Sequence, residues 1–251
     1  MINLLFKDAG HVHVCYTRAD RITDPSLLQQ YRACLSPEEI QKVDRYVKPT
    51  DRHLSLVGWA LVRYLISQLT GKQPHSLRFS KNEYGKPFLT DLPDIHFNLS
   101  HSHVAVACAL CRNAAVGVDV ESVDRCTDLS IADHFFSASE VERLSTVNGP
   151  EKRKLFFDIW TLKEAYIKAV GKGLSIPLDS FSFTVGEPDI QIDFRDTGRA
   201  DPTWRFSQWR PEPGKRVAAA VRSASPQMFS YYWCVPFVSI KPSHTTRVPS
   251  S

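Results

Sequence analysis

The chain aligns with itself. Displaced by 101 residues, Ser36 falls on Ser137, Glu39 on Glu140, Pro49 on Pro150 and Arg52 on Arg153. The same shift puts Leu54 on Leu155, Trp59 on Trp160, Leu61 on Leu162 and Ile66 on Ile167, without a gap. A repeat of this kind constrains the fold more than any single motif, because each copy is a unit with its own buried face. The local signals agree. Ser36-Pro37-Glu38-Glu39 and Ser137-Ala138-Ser139-Glu140 both read as capping boxes ahead of helices. Helices are expected from Ser26 to Cys34, through Leu56, Trp59, Val62 and Ile66 to a close near Gly71, and over Asp133 to Leu144. A further helix has Leu155, Ile159, Leu162, Tyr166 and Val170 as its buried stripe and ends at Gly171 and Gly173. Strands are expected at Val12–Tyr16, Leu77–Phe79, from Ile95, from Val104, and at Val116–Glu121. A strand-rich C-terminal part follows, with pieces at Phe181–Val185, Ile190–Phe194, Val217–Val221 and Phe229–Val235. The expected fold class is therefore α+β, with two pseudo-symmetric halves: residues 1–112, and residues 113–240 carrying the charged motifs. The Pro, Ser, Thr and Arg-containing tail, 241–251, is expected to be disordered.

The copies diverge in a telling way. Where the second has Lys163, Glu164 and Lys168, the first has Val62, Arg63 and Ser67. Charges present in one copy of a packed helix point to a site between the halves, where pockets commonly form. Glu164 and Lys168 are four apart and share a helix face; taken alone, such a pair is a surface ion pair. In Val116-Gly117-Val118-Asp119-Val120-Glu121 the alternation is strict, so Asp119 and Glu121 project together. Taken alone these are an exposed strand face; taken with the helix, they are hard-oxygen ligands suited to Mg²⁺, which usually keeps water and substrate phosphate as well. Removing one of two repelling carboxylates is expected to leave the fold intact and even to stabilise it slightly. Asn82-Glu83-Tyr84-Gly85-Lys86-Pro87 is turn chemistry that presents Lys86.

Composition narrows the classes. A net charge of +4 and pI near 8.7 suit an anionic substrate or partner but fall short of a nucleic-acid-binding arm. Met1 to Gly10 shows no signal-type pattern, and no apolar run approaches the roughly 20 residues that span a bilayer. The expectation is a soluble, cytoplasmic protein with no membrane or nucleic-acid partner. Six cysteines without a secretory signal read as free thiols. Cys108 and Cys111 form a CxxC inside an apolar strand, where residues three apart face opposite ways.

Phe97-Asn98-Leu99-Ser100-His101-Ser102, then Gly117 to Glu121, then Trp160 to Lys168 with Gly171-Lys172-Gly173-Leu174, resemble the signature motifs of the 4′-phosphopantetheinyl transferases. Tyr84-Gly85-Lys86-Pro87 and Pro177-Leu178-Asp179-Ser180-Phe181 make the Sfp-type branch the best match. The resemblance implies transfer of the phosphopantetheine arm of coenzyme A to a serine of an apo acyl- or peptidyl-carrier protein, by a monomer. It implies that Asp119, Glu121 and Glu164 hold Mg²⁺, and that Lys168 and His101 contact the phosphates. It further implies that Lys86 and Ser100 line the nucleotide site, and that the cluster around Arg45, Arg52, His53 and Ser55 takes the 3′-phosphate. Many relatives carry Lys where Glu39 stands, which shifts a larger share to Lys42 and Arg45. His103-Val104 also replaces the usual small or basic residues. Glu164, Lys168 and His101 are the catalytic candidates; the base could be Glu164 or a metal-bound water. Two rival classes are a different Mg²⁺-dependent nucleotide enzyme, which would not need the helix charges paired with Asp119 and Glu121, and a non-catalytic nucleic-acid or carrier-binding module. The latter lacks aromatic–basic interleaving.

Overall fold

A computed structural model describes residues 11–186, 190–194, 199–225 and 227–248. In chain order the elements begin with strand β1 (His11–Arg18), helices α1 (Pro25–Cys34), α2 (Pro37–Asp44) and α3 (Pro49–Thr70), and strands β2 (Phe79–Lys81) and β3 (Pro87–Leu89). Next are β4 (Ile95–Ser102), β5 (Ala105–Arg112), β6 (Val116–Ser122), α4 (Ala132–Phe135), α5 (Ala138–Ser145) and α6 (Gly149–Val170). The chain then runs through β7 (Phe181–Val185), β8 (Ile190–Phe194), β9 (Arg199–Ala200), β10 (Trp204–Trp209), β11 (Lys215–Arg222), β12 (Gln227–Val235) and β13 (Ser239–Val248). The expected α+β class holds. Both capping boxes form: Ser36 accepts from Glu39 N and Ser137 from Glu140 N, with each glutamate returning to the cap N–H. The long helices α3 and α6 both end on a left-handed glycine, Gly71 and Gly171.

Four layers stack. Strands β13-β12-β1-β5-β4 form one sheet and β10-β11-β6 another. Alternation sends Cys15, Val106, Cys108 and Leu110 of the first sheet toward α3, while Val12, Val14, Ala107 and Cys111 face Val118, Val120 and Val217 of the second. The second sheet gives its other face, with Phe206, Ala218 and Ala220, to Leu162, Ala165 and Ala169 of α6. Cys108 and Cys111 do point to opposite faces, and burial raises both thiols, Cys111 to about 11.

Three expectations are corrected. The stretch from Lys241 is not disordered up to Val248: β13 pairs antiparallel with β12 from Gln227↔Val248 to Val235↔Ser239. The edge position tolerates Pro242 because the ladder shifts register there, between Tyr231 and Tyr232. Residues 249–251, and Met1–Gly10 on which the absence of a signal pattern was read, lie outside the described residues. Secondly, β12 runs parallel to β1, so strands on both sides of the 112/113 division share one sheet. Thirdly, the helical region over Asp133 to Leu144 is two short helices, because Phe136 turns extended and Ser137 caps a new start. The strand Trp204–Trp209 was not foreseen.

Gly117 sets the spacing between α6 and β6. A Cβ there would stand 2.1 Å from Ala165 O and 2.4 Å from Ala169 N, both helix backbone atoms. Backbone cannot swing aside as a side chain can. Gly117→Ala is therefore expected to destabilise by about 3 kcal/mol or more, at the upper end of overpacking costs. Denaturant unfolding measures it; a loss below about 1 kcal/mol would mean that α6 shifts freely on β6.

Candidate active site

The second sheet's edge strand, β6, lies beside the first sheet's edge strand, β4, and α6 crosses above. Asn98 on β4 fixes the seam, its Oδ1 accepting from Val118 N at 2.9 Å. Beyond it the side chains of the two strands meet twice: Ser100 Oγ donates to Asp119 Oδ1 at 2.8 Å, and Ser102 Oγ to Glu121 Oε2 at 2.5 Å. The i, i+2 period of both strands thus aligns two hydroxyls with two carboxylates. From α6, Lys168 Nζ reaches Asp119 Oδ1 at 2.6 Å and Ser100 Oγ at 3.0 Å, while Glu164 Oε2 is 4.0 Å away. Lys168's principal partner is Asp119, so the Glu164–Lys168 pair is not the simple surface bridge that its spacing allows.

The electrostatics follow from crowding acid in a buried seam. Asp119 and Glu121 are 3% and 7% exposed. Glu121 is raised above the ordinary carboxyl range, first by burial and then by Asp119. Burial also raises Glu164, with Lys168 opposing and Asp119 and Glu121 adding. For Lys168 burial pulls downward, but Asp119, Glu164 and Glu121 outweigh it and leave the ammonium above its usual value. His101 is lowered by burial and then by Lys168. Strand alternation puts His101 with Leu99 on the side toward α3, where Leu99 lies against Gly58.

A cation has something to satisfy here. Asp119 Oδ2 is buried and has no hydrogen-bond partner among the described atoms. Hard carboxylate oxygens from Asp119, Glu121 and Glu164 are the donor chemistry that Mg²⁺ takes, and the residues fit that ion. Among the described residues no three His, Cys, Asp or Glu side chains already converge in metal-binding geometry; the charge held by Asp119 is that of Lys168.

The structure therefore brings together Asp119, Glu121, Glu164, Lys168 and Ser100. Lys86 stands beside them: with Tyr84, Asn98, Glu164, Lys168 and Gly171 it lines a cavity of about 370 Å³. Its ammonium donates to Val116 O and Ala169 O, and burial lowers it to about 8. Lys42, Arg45, Arg52 and Ser55 lie on α2, its end and α3, outside this hydrogen-bonded group. Lys42 is exposed and lines a separate cavity of about 750 Å³ with Arg78 and Lys81. Arg45 and Arg52 are exposed, Arg52 donating to Tyr46 O at 3.0 Å, and Ser55 is buried. His53 is tied to Ala19 O.

Two readings of charge change. Lys163 is not a site residue. It is fully buried, bridging to Glu140 at 2.8 Å and donating to Leu178 O and Phe181 O. Glu39, noted as a departure, is the mirror of Glu140: it receives Arg63 Nε at 2.9 Å and NH2 at 2.8 Å while capping Ser36 N. Its charge is used inside the fold. Residues the sequence did not flag as site members are Ser102, Arg125 (3.2 Å from Glu121) and Asn82, which holds Gly171 O. Ser102 was within reach, as it shares a strand face with Ser100. Arg125 and Asn82 carry no periodic signal.

Buried carboxylates, a lysine and two hydroxyls thus meet at one seam between β4, β6 and α6. Residues 115–222 match the family model of the 4′-phosphopantetheinyl transferase superfamily, and residues 23–112 that of the 4′-phosphopantetheinyl transferase N-terminal region. The 4′-phosphopantetheinyl transferase Sfp of Bacillus subtilis (strain 168) is 37% identical over 190 residues, 76% of this chain and 83% of that protein. The 4′-phosphopantetheinyl transferase ffp of Bacillus subtilis is 41% identical over 201 residues, covering 78% and 88%. HetI of Nostoc sp., also named a 4′-phosphopantetheinyl transferase, is 35% identical over 202 residues, covering 78% and 82%. The chain belongs to the 4′-phosphopantetheinyl transferase family. No helix among the described residues is long and apolar enough to cross a membrane.

Proposed function

We propose that this chain transfers the 4′-phosphopantetheine arm of coenzyme A to a serine hydroxyl of an apo acyl- or peptidyl-carrier protein, in a Mg²⁺-dependent reaction at the β4–β6–α6 seam. The carrying observation is the buried Asp119 with one oxygen unpartnered and the other on Lys168. Asp119, Glu121 and Glu164 would hold the cation. When bound, it supplies charge neutralisation on the pyrophosphate. Lys168 and His101 orient the phosphates, Ser100 and the turn that carries Lys86 border the nucleotide, and Lys42, Arg45, Arg52 and Ser55 receive the 3′-phosphate. The serine Oγ attacks the β-phosphorus, the bond from that phosphorus to the bridging oxygen breaks, and adenosine 3′,5′-bisphosphate leaves. Glu164, on α6 beside Lys168, is the group assigned in this reading to take the serine proton. A pseudo-symmetric pair of halves, a cytoplasmic setting and action as a monomer, without membrane or nucleic acid, belong to the same reading.

The test is direct. Apo carrier protein incubated with coenzyme A, Mg²⁺ and this protein should gain the mass of one phosphopantetheine arm at serine. No gain on several acyl- and peptidyl-carrier domains would overturn the reading.

A further inference from the structure

The loop between β2 and β3 is locked to itself, to the end of α6 and to the start of β6. Asn82 Oδ1 accepts from Tyr84 N at 3.0 Å and Lys86 N at 2.8 Å, while Asn82 N donates to Lys86 O. From this closed turn two groups reach out. Asn82 Nδ2 donates to Gly171 O at 2.8 Å, and Lys86 Nζ donates to Ala169 O at 2.9 Å and Val116 O at 3.1 Å. Ala169 and Gly171 stand at the end of α6, where backbone carbonyls have no partner within the helix. A cation and an amide donor at a helix C-terminus satisfy those carbonyls and complement the dipole. Val116 opens β6.

Lys86 thus joins three elements at one point. Ala169 directly follows Lys168, and Val116 lies three residues before Asp119. The contact is tight: a Cβ on Gly171 would stand 2.8 Å from Lys86 Cδ. The ammonium's described hydrogen bonds both go to backbone carbonyls.

Resting on the function proposed above, we propose that Lys86 is a positioning residue: with Asn82 it clamps the end of α6 to the start of β6 and so holds Lys168 on Asp119, its charge serving the clamp and not the coenzyme. The sequence resemblance put Lys86 on the nucleotide; the geometry gives its side chain to the protein. The last turn of α6 then keeps the placement that the first segment of the chain dictates. A displacement of about 1 Å at a reacting centre costs on the order of a hundredfold in rate.

Lys86→Met keeps the aliphatic stem and removes the donors. With wild-type transfer established as the control, kcat should fall about tenfold to a hundredfold. Coenzyme A affinity by calorimetry should fall by a smaller factor than kcat, because a displaced Lys168 loses part of its phosphate contact in the ground state and more in the transition state. Lys86→Arg should recover part of kcat. Combined with Lys168→Ala, Lys86→Met should add little further loss, since it acts through Lys168. Asn82→Ala alters no charge and should show the same pattern, a kcat loss larger than the affinity loss, which keeps the test alive if Lys86→Met fails to fold. A tenfold weaker coenzyme A affinity at unchanged kcat in Lys86→Met, or full additivity with Lys168→Ala, overturns the proposal. An inactive wild type overturns the functional reading instead.

Discussion

Asp119→Ala should abolish transfer at ordinary Mg²⁺, a loss of several orders of magnitude in turnover. Asp119 is the junction of the site: it holds Lys168 and Ser100 through Oδ1 and leaves Oδ2 free for a cation. Interactions that stabilise developing charge in a buried site typically contribute about a hundredfold to a thousandfold each, and this substitution removes at least two. The structure reverses one expectation from sequence. Two repelling carboxylates alone would make Asp119→Ala slightly stabilising; with Lys168 at 2.6 Å, the substitution strands an ammonium, and a loss of roughly 1–3 kcal/mol is expected. Ligand linkage supplies a readout independent of activity. At Mg²⁺ ten times its Kd the wild type should gain about 1.4 kcal/mol, or about 3–6 °C in Tm for a chain of this size. Asp119→Ala should show no such gain. Near-wild-type turnover, or an unchanged Mg²⁺ shift in the variant, would remove this carboxylate from the proposed mechanism.

Local signals in the chain were legible because they depend on neighbours in sequence. The capping boxes, the left-handed glycines closing α3 and α6, and the strict alternation of β6 all appear where the residues put them. What those side chains meet depends on contacts far apart in the chain. Nothing near Asp119 announces Ser100 or Lys168, 19 and 49 residues away; the family motifs, not spacing, joined them. Lys163 shows how a sound pattern misleads. The fixed offset of 101 set Arg63 against Glu164 and made Lys163 look newly acquired. In the fold the same device occurs twice, Glu39 with Arg63 and Glu140 with Lys163, but the second lies one helix position earlier. One residue turns a helix face by about 100°, enough to move a side chain from a buried ion pair to a cleft. The tail failed for a different reason. Its Pro and Ser content reads as unstructured, yet β12 offers it a complete edge, which no local pattern reveals.

The sharpest separation of roles lies on α6. If Glu164 and Lys168 were only an i,i+4 surface pair, Glu164→Gln would cost about 0.3–0.5 kcal/mol and little activity. The structure argues otherwise, since Lys168 belongs to Asp119 and Glu164 stands 4.0 Å off, raised by burial. A carboxyl raised in the folded state contributes most to stability when protonated, at low pH, and loses that contribution as pH rises through its folded value. Glu164→Gln should therefore leave Tm at neutral pH unchanged or slightly higher, while turnover falls by several orders of magnitude, because the group acts in the transition state. Lys168→Ala should behave differently on every axis. It leaves Asp119 buried beside Ser100 without its cation, so Tm in the absence of Mg²⁺ should drop, by roughly 2 kcal/mol in stability terms, and added Mg²⁺ should restore part of the loss. Coenzyme A affinity and turnover should fall together, since a positive charge acts on the phosphates in both ground and transition states. Turnover, coenzyme A affinity and Tm with and without Mg²⁺, measured for both variants, decide the matter: small matched losses of activity and stability in both would reduce the two residues to a surface pair.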